Sequence, residues 1–334
     1  MKTFDNYSLR AHNTFGIEAR ARRFAEYDSI DGLRRLLGEP FLHIGAGSNL
    51  LFTKDYDGLV LHSAIHGTEV IAEAADHVVV RAGAAEVFDD FVARCVECGW
   101  HGLENLSLIP GEVGAAAVQN IGAYGAEVSA CIDSVEAVET ATGREVLLPR
   151  ADCRYAYRSS IFKSARRGEL VVTYVRFRLS KRFVPDLQYA ALRRHVEADG
   201  LSPEAVSPQY LRRAVIAMRE SKLPDPRVTG SAGSFFINPV VSAEKAGLLA
   251  RDFPEMPTYV VEDGVKLSAA WLIDRCGLKG FSVGGASVYE RQPLVLVNRD
   301  GTATGADVLA LSRHVQREVL ARFGVTLTPE VNIL

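Results

Sequence analysis

The chain has 334 residues and a formal net charge of −3 at pH 7, with 48% hydrophobic and 24% charged residues. This length predicts two or three domains, and the composition is typical of globular proteins and excludes a disordered or low-complexity chain. A slightly acidic protein whose basic clusters are short and scattered has no long-range attraction for nucleic acid or an anionic membrane. We therefore expect neither as a partner.

The N-terminus and the cysteines indicate a cytoplasmic protein. Residues 1–16 lack the apolar core of a signal peptide, and no run reaches the roughly 18 apolar residues that a membrane helix needs. Five cysteines, an odd number, favour reduced thiols over a disulfide framework. Cys95 and Cys98 form a C-x-x-C, but no second pair and no histidine pair completes a metal site, so we expect no metal.

The first hundred residues mix strand and helix signals without a regular βαβ repeat. Extended runs at 22–27 and 40–45 flank a short helix at 29–38. Ser29 or Asp31 is a plausible cap for this helix. A helix ending at Gly99 closes the region, after three β-branched runs that predict strands at 58–63, 69–74 and 77–83.

Strand and helix signals continue beyond a run of small residues at 109–128. The next predicted strands lie at 134–140, 144–149 and 169–180. Between 183 and 223 the chain becomes helical and rich in Arg and Ala, and the Pro-Asp-Pro at 224–226 predicts a domain boundary near residue 223. Beyond it we expect a helix at 266–280, a buried strand at 293–298 and a long amphipathic helix at 305–324.

The glycine loop 45–52, GAGSNLLF, follows a predicted strand but does not fit a dinucleotide fingerprint. The third glycine of G-x-G-x-x-G would fall at Leu50, and no helix start follows that would hold a pyrophosphate. The glycines permit a close backbone approach, and Ser48 and Asn49 offer short polar side chains. Both an anion-binding nest and a plain tight turn fit these residues.

The run from 109 to 125 leaves a backbone with almost no side-chain bulk. After a Pro-Gly turn, residues 114–117 are Gly-Ala-Ala-Ala. Successive amide groups at a helix start would bind a phosphate here without a cation, and Gln119, Asn120 and the nearby glycines would contact a ring system. Tight packing against a neighbouring sheet is the alternative.

Four polar residues are candidates for chemistry. Ser234 lies in GSAGSFFINP, residues 230–239, between glycines and two phenylalanines, which is a dry setting for a hydroxyl. The other three candidates are Arg158 in YAYRSSIFK, Glu330 in LTPEV and Lys222 in ESKLPDP. Taken alone, each of them is explained as an ordinary exposed surface residue. Their roles depend on what the whole chain resembles.

Taken together, segments across nearly the whole chain resemble the UDP-N-acetylenolpyruvoylglucosamine reductase (MurB) family of peptidoglycan synthesis. The segment LQYAAL (187–192) is similar to the form of the family that keeps a tyrosine-bearing substrate loop. The matching segments follow the order of the family: NTFGI (13–17), GAGSNLLF (45–52), LENLSLIPGEVGAAAVQNIGAYG (103–125), YRSSIFK (157–163), KLPDP (222–226), GSAGSFFINP (230–239), AAWLID (269–274) and PEV (329–331).

The resemblance implies an α+β protein with an FAD-binding fold of the vanillyl-alcohol-oxidase type in two subdomains, followed by a C-terminal α/β substrate-binding domain. The implied boundaries are 1–62, 63–223 and 224–321, with 322–334 returning to the first subdomain or to the active site. FAD would be bound non-covalently, since no histidine or cysteine lies between 109 and 125 to tether it. The implied FAD contacts are Gly45, Gly47, Ser48, Asn49, Gly111, Gly114, Gln119, Asn120 and Gly122.

The implied activity is reduction of UDP-N-acetylglucosamine enolpyruvate to UDP-N-acetylmuramate, with a hydride passing from NADPH to FAD and then to the enolpyruvyl double bond. The resulting carbanion needs a proton, and Ser234 stands at the matching position. Arg158 would stabilise the enediolate with its planar fork, while Glu330 would share a proton or orient the acid. The implied substrate contacts are Tyr157, Tyr189, Arg219, Lys222, Asn238 and Gln292.

Two alternatives stay open on the sequence. One is an FAD-dependent sugar or alcohol oxidase or dehydrogenase of the same fold, and the lack of a tethering histidine or cysteine counts against it. The other is a catalytically silent nucleotide-sugar-binding protein, and the joint presence of Arg158, Ser234 and Glu330 counts against that. For the reductase we expect a cytoplasmic monomer that acts in cell-wall synthesis.

Overall fold

The computed structural model describes residues 1–334, which divide into two compact units. Each unit is assembled from three separate stretches of sequence. Each also has its own hydrophobic interior, because the apolar clusters form within the units. Unit 1 comprises Met1–Asn6, Arg22–Ala46 and Gly58–Ser221, and unit 2 comprises Tyr7–Ala21, Gly47–Asp57 and Lys222–Leu334.

The strands are labelled β1 to β20 and the α-helices α1 to α8 in chain order. The strands before residue 222 are β1 Lys2–Ser8, β2 Arg20–Tyr27, β3 Phe41–Ile44, β4 Leu50–Leu51, β5 Tyr56–Ser63, β6 Thr68–Glu73, β7 His77–Gly83, β8 Gly122–Ala123, β9 Ala126–Glu127, β10 Ile132–Glu139, β11 Glu145–Pro149 and β12 Leu170–Ser180. The strands after it are β13 Gly230–Ser234, β14 Val240–Val241, β15 Thr258–Val261, β16 Gly264–Leu267, β17 Ser282–Val283, β18 Ala286–Val288, β19 Val295–Asn298 and β20 Asn332–Ile333. The helices are α1 Ile30–Arg34, α2 Phe88–Glu97, α3 Val113–Gln119, α4 Ala190–Ala198, α5 Pro208–Lys222, α6 Ala243–Asp252, α7 Ala269–Arg275 and α8 Gly305–Phe323. No helix among them combines the length and the apolar character that a membrane crossing requires.

Unit 1 is built on two sheets. A four-stranded sheet has the order β1-β2-β5-β3, in which β3 and β5 are parallel. A five-stranded antiparallel sheet has the order β11-β10-β12-β7-β6. The helix α2 packs on this second sheet, where the ring centroids of Phe91 and Phe177 lie 4.8 Å apart. Each such buried ring stabilises the fold by about 1.5–3 kcal/mol, which anchors α2.

The helices α4 and α5 form a small core of their own in unit 1. We predicted helical structure from about residue 183, but α4 begins only at Ala190. Pro185 restricts only Val184, whereas the start at Ala190 follows from an Asx turn, in which the Gln188 amide donates to Asp186 Oδ1 at 3.0 Å, and from the extended backbone of Tyr189, the N-cap of α4. The buried side chains that join the two helices are Leu192, Val196, Leu211, Val215 and Met218.

A half-buried ion pair fastens α5 to α2. Arg212 donates from Nη1 and Nη2 to the two carboxylate oxygens of Asp89 at 2.6 and 3.0 Å. The Leu108 amide also donates to Asp89, at 2.5 Å, although Leu108 has an unfavourable φ of 59°. Burial alone would raise the pKa of Asp89, but the hydrogen bonds from Arg212 and Leu108 hold it below its ordinary value.

We expect Asp89→Asn to lower the free energy of unfolding by about 2 kcal/mol at neutral pH, because one partner of a half-buried charge pair is lost. The carboxylate contributes fully above its ordinary pKa of about 4, and the contribution disappears as the pH falls through the lowered folded-state pKa. Urea denaturation at neutral and acidic pH measures this, and the difference from the wild type should shrink in acid. Asp90→Asn, on the exposed neighbour in the same helical turn, is the matched control. An equal loss in both variants would assign the effect to the helix dipole.

Unit 2 is built on a four-stranded sheet of order β13-β19-β18-β17 and a three-stranded sheet of order β14-β16-β15. The long helix α8 begins at a capping box of Thr304 and Asp307 and ends before Gly324, whose φ is 60°. The helix predicted at 305–324 is therefore confirmed. A parallel pair joins β20 to β4, which places the C-terminal residues against the glycine loop.

Candidate active site

The small-residue run of unit 1 forms α3. The first two amide groups of this helix are hydrogen-bonded to other residues of the protein. The Val113 amide donates to Glu86 O and the Gly114 amide to Ala84 O, both at 2.9 Å. A Cβ on Gly114 would lie 2.8 Å from the Ala84 Cβ, so packing requires this glycine. These two amide groups are therefore bonded within the protein, which agrees with the alternative of tight packing, and the contact of Gly114 with FAD stays a prediction.

A buried carboxylate stands at the N-cap of α3. Glu112 is 8% exposed, and its Oε1 accepts a hydrogen bond from His62 Nε2 at 2.9 Å. Burial alone would lower the pKa of His62, but Glu112 and Glu26 raise it above its ordinary value. A Cβ on Gly45 would lie 3.0 Å from Glu112 Oε2, so Gly45 makes room for this carboxylate. Its contact with FAD stays a prediction.

The amide side chain of Asn120 is fully used inside the protein. Asn120 is buried and closes α3 with a φ of 46°. Its Nδ2 donates to Glu127 Oε2 at 3.0 Å and to Ala156 O at 2.9 Å, while its Oδ1 accepts from the Ser129 amide at 3.3 Å. The side chain of Asn120 therefore shapes the loop that follows α3, and the predicted contact of this residue with FAD, which backbone groups can also make, stays a prediction.

That loop is a tight hairpin. The strands β8 and β9 pair antiparallel through the two-residue turn Tyr124-Gly125, whose φ values are 49° and 88°. Two positive φ values in succession are typical of the type I′ turn, whose twist matches that of a hairpin. Gly122 at its start is half-buried, and a Cβ there would lie 2.8 Å from Ala126 O. Gly122 and Gly125 thus leave backbone of the hairpin uncovered by side chains.

Arg158 lies in a strained turn, and its guanidinium reaches this hairpin. Ala156 and Ser159 pair across the turn, and Arg158 has a φ of 54°, which costs a non-glycine residue energy. Its Nη2 donates to Gly122 O at 2.8 Å and its Nη1 to Asn120 O at 3.5 Å. Two backbone carbonyls therefore fix the orientation of the guanidinium plane.

A second arginine lies close enough to Arg158 for their charges to interact. Arg219 donates from Nε to Leu108 O at 3.1 Å. Burial lowers the pKa of Arg219, the Tyr124 hydroxyl opposes this effect, and the charge of Arg158 adds to it. Two guanidinium groups in one region create a positive field that suits an anion such as a diphosphate.

Two tyrosines of unit 1 offer aromatic faces in the same region. Tyr157 is 47% exposed, and its ring centroid lies 5.6 Å from Arg158 Cζ. Tyr189 is 42% exposed and packs edge to face on Tyr124, with centroids 5.3 Å apart. The sequence reasoning did not single out Tyr124. Its position as a large aromatic residue among glycines and alanines would have identified it from the sequence.

Unit 2 contains the rest of the glycine loop, in which Gly47 occupies a position that only glycine tolerates. Its φ is 70°, and a Cβ would lie 2.0 Å from His12 O. Its carbonyl accepts the Thr14 amide proton at 3.2 Å. The short strand β4 follows, so the expectation that this loop opens no helix is confirmed. Ser48 beside it is half-buried, and the contacts of both residues with FAD stay predictions.

Ser234 and Glu330 are neighbours in unit 2 although they are far apart in the sequence. Ser234 ends β13, just after an irregularity in its pairing with β19. The next residue, Phe235, accepts the Glu330 amide proton at 2.8 Å, and Phe236 pairs with Pro329. Both phenylalanines are at most 1% exposed, whereas Ser234 is half-buried. A short antiparallel pairing thus brings two of the predicted catalytic residues together.

The other predicted substrate residues of unit 2 lie on separate elements. Asn238 Oδ1 accepts the Ala269 amide proton at 3.0 Å, so it satisfies the first amide group of α7, whose N-cap is Ser268. Lys222 ends α5 and is exposed. Gln292 is half-buried, and its carbonyl accepts the Val295 amide proton at 3.0 Å. Their contacts with a substrate stay predictions.

The bare surface of unit 1 fits a flat cofactor held without a covalent bond. Gly111, Ala115, Gln119 and Gly122 are half-buried, so a ligand can reach backbone that carries little side-chain bulk. Gly111 has a φ of 121°, which its lack of a side chain permits. No histidine or cysteine lies between 109 and 125. A ring system can lie on such a surface, although the Val113 and Gly114 amide groups are already bonded to Glu86 O and Ala84 O.

Two protein-family models match the chain. The model of the UDP-N-acetylenolpyruvoylglucosamine reductase C-terminal domain matches residues 225–334. The model of the FAD binding domain matches residues 34–148. The match to the FAD binding domain confirms the expected FAD-binding fold and FAD cofactor. The match at 225–334 identifies that part of the chain as the C-terminal domain of the reductase family.

Relatives and a solved structure match over nearly the full length. UDP-N-acetylenolpyruvoylglucosamine reductase of Bacteroides fragilis is 54% identical over 334 residues, covering 98% of this chain and 99% of its own. That of Burkholderia orbicola is 50% identical over 332 residues, covering 97% and 95%. The crystal structure of this reductase (MurB) from Thermus caldophilus has a TM-score of 0.72 at 23% identity, covering 99% and 98% of the two chains, and supports the fold. The chain belongs to the UDP-N-acetylenolpyruvoylglucosamine reductase family.

Proposed function

We propose that the protein is an oxidoreductase that uses NADPH to reduce UDP-N-acetylglucosamine enolpyruvate to UDP-N-acetylmuramate for peptidoglycan synthesis. The 54% identity with a full-length relative named as this reductase supports the proposal, and the names of the relatives do not support the oxidase alternative. The structural observation that carries the mechanism is the hydrogen bond from the Glu330 amide to Phe235 O, which brings Glu330 beside Ser234.

Bound FAD supplies the relay that takes a hydride from NADPH and delivers it to the enolpyruvyl double bond. The match to the FAD binding domain supports this cofactor, and NADPH follows from the family. The residues proposed to contact FAD are Gly45, Gly111, Gly114, Gln119, Asn120 and Gly122 in unit 1 and Gly47, Ser48 and Asn49 in unit 2.

Ser234 is the proposed proton donor. Once one carbon of the double bond has gained hydride, negative charge is left on the carbon next to the carboxylate, and the proton of Ser234 Oγ moves to it. A hydroxyl is a weak acid, so this transfer requires fixed geometry and exclusion of water. The buried Phe235 supports the geometry, because its amide donates to Leu294 O at 2.8 Å and its carbonyl accepts from Glu330. Glu330 is proposed to share a proton with this acid or to orient it.

Arg158 is proposed to stabilise the charge that spreads onto the substrate carboxylate. A guanidinium presents a planar fork that matches two carboxylate oxygens. Its contacts with Gly122 O and Asn120 O fix its orientation before a substrate binds, which is the preorganisation that electrostatic catalysis needs. Tyr157, Tyr189 and Arg219 are proposed to bind the nucleotide part in unit 1, and Lys222, Asn238 and Gln292 in unit 2.

We further propose that the enzyme is a cytoplasmic monomer. Its proposed domains are the FAD-binding subdomains 1–62 and 63–223 and the substrate-binding domain 224–321, with 322–334 returning to the first subdomain or to the active site. The change of compact unit between Ser221 and Lys222 supports the boundary near 223. Size-exclusion chromatography with light scattering tests the monomer.

Anaerobic mixing with the two substrates in turn tests the function. NADPH should bleach the visible absorption band of the bound flavin, and UDP-N-acetylglucosamine enolpyruvate should then restore it without oxygen. Each restored flavin should correspond to one UDP-N-acetylmuramate by mass spectrometry. A band that returns only when oxygen is admitted would overturn the reductase in favour of an oxidase, and a purified protein that takes up no flavin would overturn both.

A further inference from the structure

The polypeptide around Glu330 is held on one side by the segment that carries Ser234. The Ile237 amide donates to Thr328 O at 2.9 Å, and the Glu330 amide donates to Phe235 O at 2.8 Å. Pro329 lies between these two bonds and pairs with Phe236, at a position of the ladder where no N–H is needed. The N–H group of the Glu330 peptide unit is therefore fixed.

On its other side, the segment is held by the glycine loop. The Nδ2 of Asn49 donates to Glu330 O at 3.3 Å. The carbonyl of Asn49 in turn accepts two hydrogen bonds from Asn332, one from the backbone amide at 3.0 Å and one from Nδ2 at 3.2 Å. Asn332 is half-buried, at the start of β20. A ring of hydrogen bonds thus links Glu330, Asn49 and Asn332.

The side-chain bond of Asn332 is not needed for the pairing of β20 with β4. That parallel pair already has the Asn332 amide bonded to Asn49 O and the Leu334 amide bonded to Leu51 O at 2.9 Å. The additional bond from Nδ2 fixes the carbonyl of Asn49, and the side chain of the same residue fixes Glu330. An asparagine that served only to pair β20 with β4 would need its backbone amide alone, and not this additional hydrogen bond from Nδ2.

We infer that Asn332 is a positioning residue, which acts through Asn49 to hold the peptide of Glu330 in register with Ser234. The inference rests on the proposed roles of Ser234 and Glu330. Asn332 itself is assigned no contact with substrate or FAD. Loss of its Nδ2 leaves β20 paired but releases one restraint on the Asn49 carbonyl. A displacement of about 1 Å at reacting groups slows a reaction by up to about 100-fold, so a partial release should slow proton delivery by about tenfold.

The test is Asn332→Ala in the FAD-loaded enzyme, with the two half-reactions measured separately by anaerobic stopped flow. We expect reoxidation of the flavin by the enolpyruvyl substrate to slow by about tenfold at saturation, with the KM for this substrate changed by less than about twofold. Flavin reduction by NADPH should keep its rate. A general loosening of the fold would lower the amount of loaded enzyme and affect both half-reactions alike.

Thr53→Ala is the matched control. Thr53 donates from Oγ1 to Leu334 O at 2.6 Å, so it tethers the same strand pair without touching Asn49 or Glu330. Its loss should lower the melting temperature by an amount similar to that of Asn332→Ala and leave both half-reactions within about twofold. Equal slowing of reoxidation in both variants would overturn the inference, because strand stability alone would then explain the effect.

Two further variants keep the inference separate from the proposed function. Asn332→Asp keeps the shape of the side chain but loses the donor, and it should show the same slow reoxidation even if the alanine variant does not fold. Glu330→Gln should slow reoxidation more than either. If Glu330→Gln slows it and neither Asn332 variant does, the positioning role is wrong and the function stands. If Glu330→Gln leaves reoxidation unchanged, the proposed role of Glu330 is wrong.

Discussion

Ser234→Ala will leave reduction of the flavin by NADPH nearly intact and will slow its reoxidation by the enolpyruvyl substrate by about 10²–10⁴-fold, the usual contribution of a positioned acid. The hydroxyl takes no part in the first half-reaction, so only the second depends on it. The backbone of residue 234 is fixed by Phe235, which bonds to both Leu294 and Glu330, so the alanine variant should keep the local structure. Anaerobic stopped flow measures both rates.

Ser231→Ala is the control for this substitution. Ser231 lies on the same strand and is 4% exposed, so the variant removes a hydroxyl of the same kind that has no proposed role in the reaction. It should retain both half-reactions within about twofold, which is the range expected of a residue outside the chemistry. A loss of reoxidation in Ser234→Ala of less than about tenfold would show that another group, or water, delivers the proton.

Arg158→Ala should slow reoxidation by about 10²–10³-fold, as removal of one group that stabilises an oxyanion does. The guanidinium is held by Gly122 O and Asn120 O before a substrate arrives, so the role proposed for its charge requires no reorganisation. Arg158→Lys should recover only part of the rate. The lysine restores the positive charge, but its ammonium group cannot bond to both carbonyls and also present a planar fork to the carboxylate. Stopped-flow reoxidation at saturating substrate gives both values.

Arg154→Ala separates the effect of charge from that of backbone strain. Arg154 has a φ of 47°, close to the 54° of Arg158, and it is exposed. An alanine at either position therefore adopts the same unfavourable backbone, but only Arg158 has a proposed role in the reaction. Comparable slowing of reoxidation in both variants would mean that the loss of any arginine at positive φ in this segment slows the reaction, and that the guanidinium of Arg158 has no special role.

Local patterns predicted the elements well wherever a single stretch of sequence determines them. The helix α8 has its own cap at Thr304 and its own stop at Gly324, so its limits could be deduced without knowledge of the fold. The glycine loop could be distinguished from a dinucleotide-binding loop because Leu50 occupies the position where the fingerprint needs a third glycine. At α4 the apolar pattern misled, because the Asx turn at Asp186 and the extended backbone of Tyr189 delay the helix until Ala190.

The site was predictable only as far as its residues could be matched one by one to the family. What each side chain contacts depends on partners far away in the sequence, which no local pattern reveals. In the sequence, Asn120 resembles a residue whose side chain contacts a ligand, but Ala156 O and Glu127 Oε2 accept the hydrogen bonds of its NH2 group. The amide of Gly114 is likewise taken by Ala84. For Asn332 no motif exists, because the positioning role proposed for it rests on a bond to Asn49 across 283 positions.

The assembly of unit 2 from three stretches has a consequence for biosynthesis. Residues 7–21 and 47–57 leave the ribosome early, but the residues that bury them are made last, within 222–334. Until then apolar side chains such as Phe15 and Leu51, which end in the core of unit 2, have no native partners. Contacts of such long range form slowly and leave apolar surface exposed to aggregation. Unit 2 should therefore fold only after residues 222–334 have been made, whereas the residues of unit 1 are all available by Ser221.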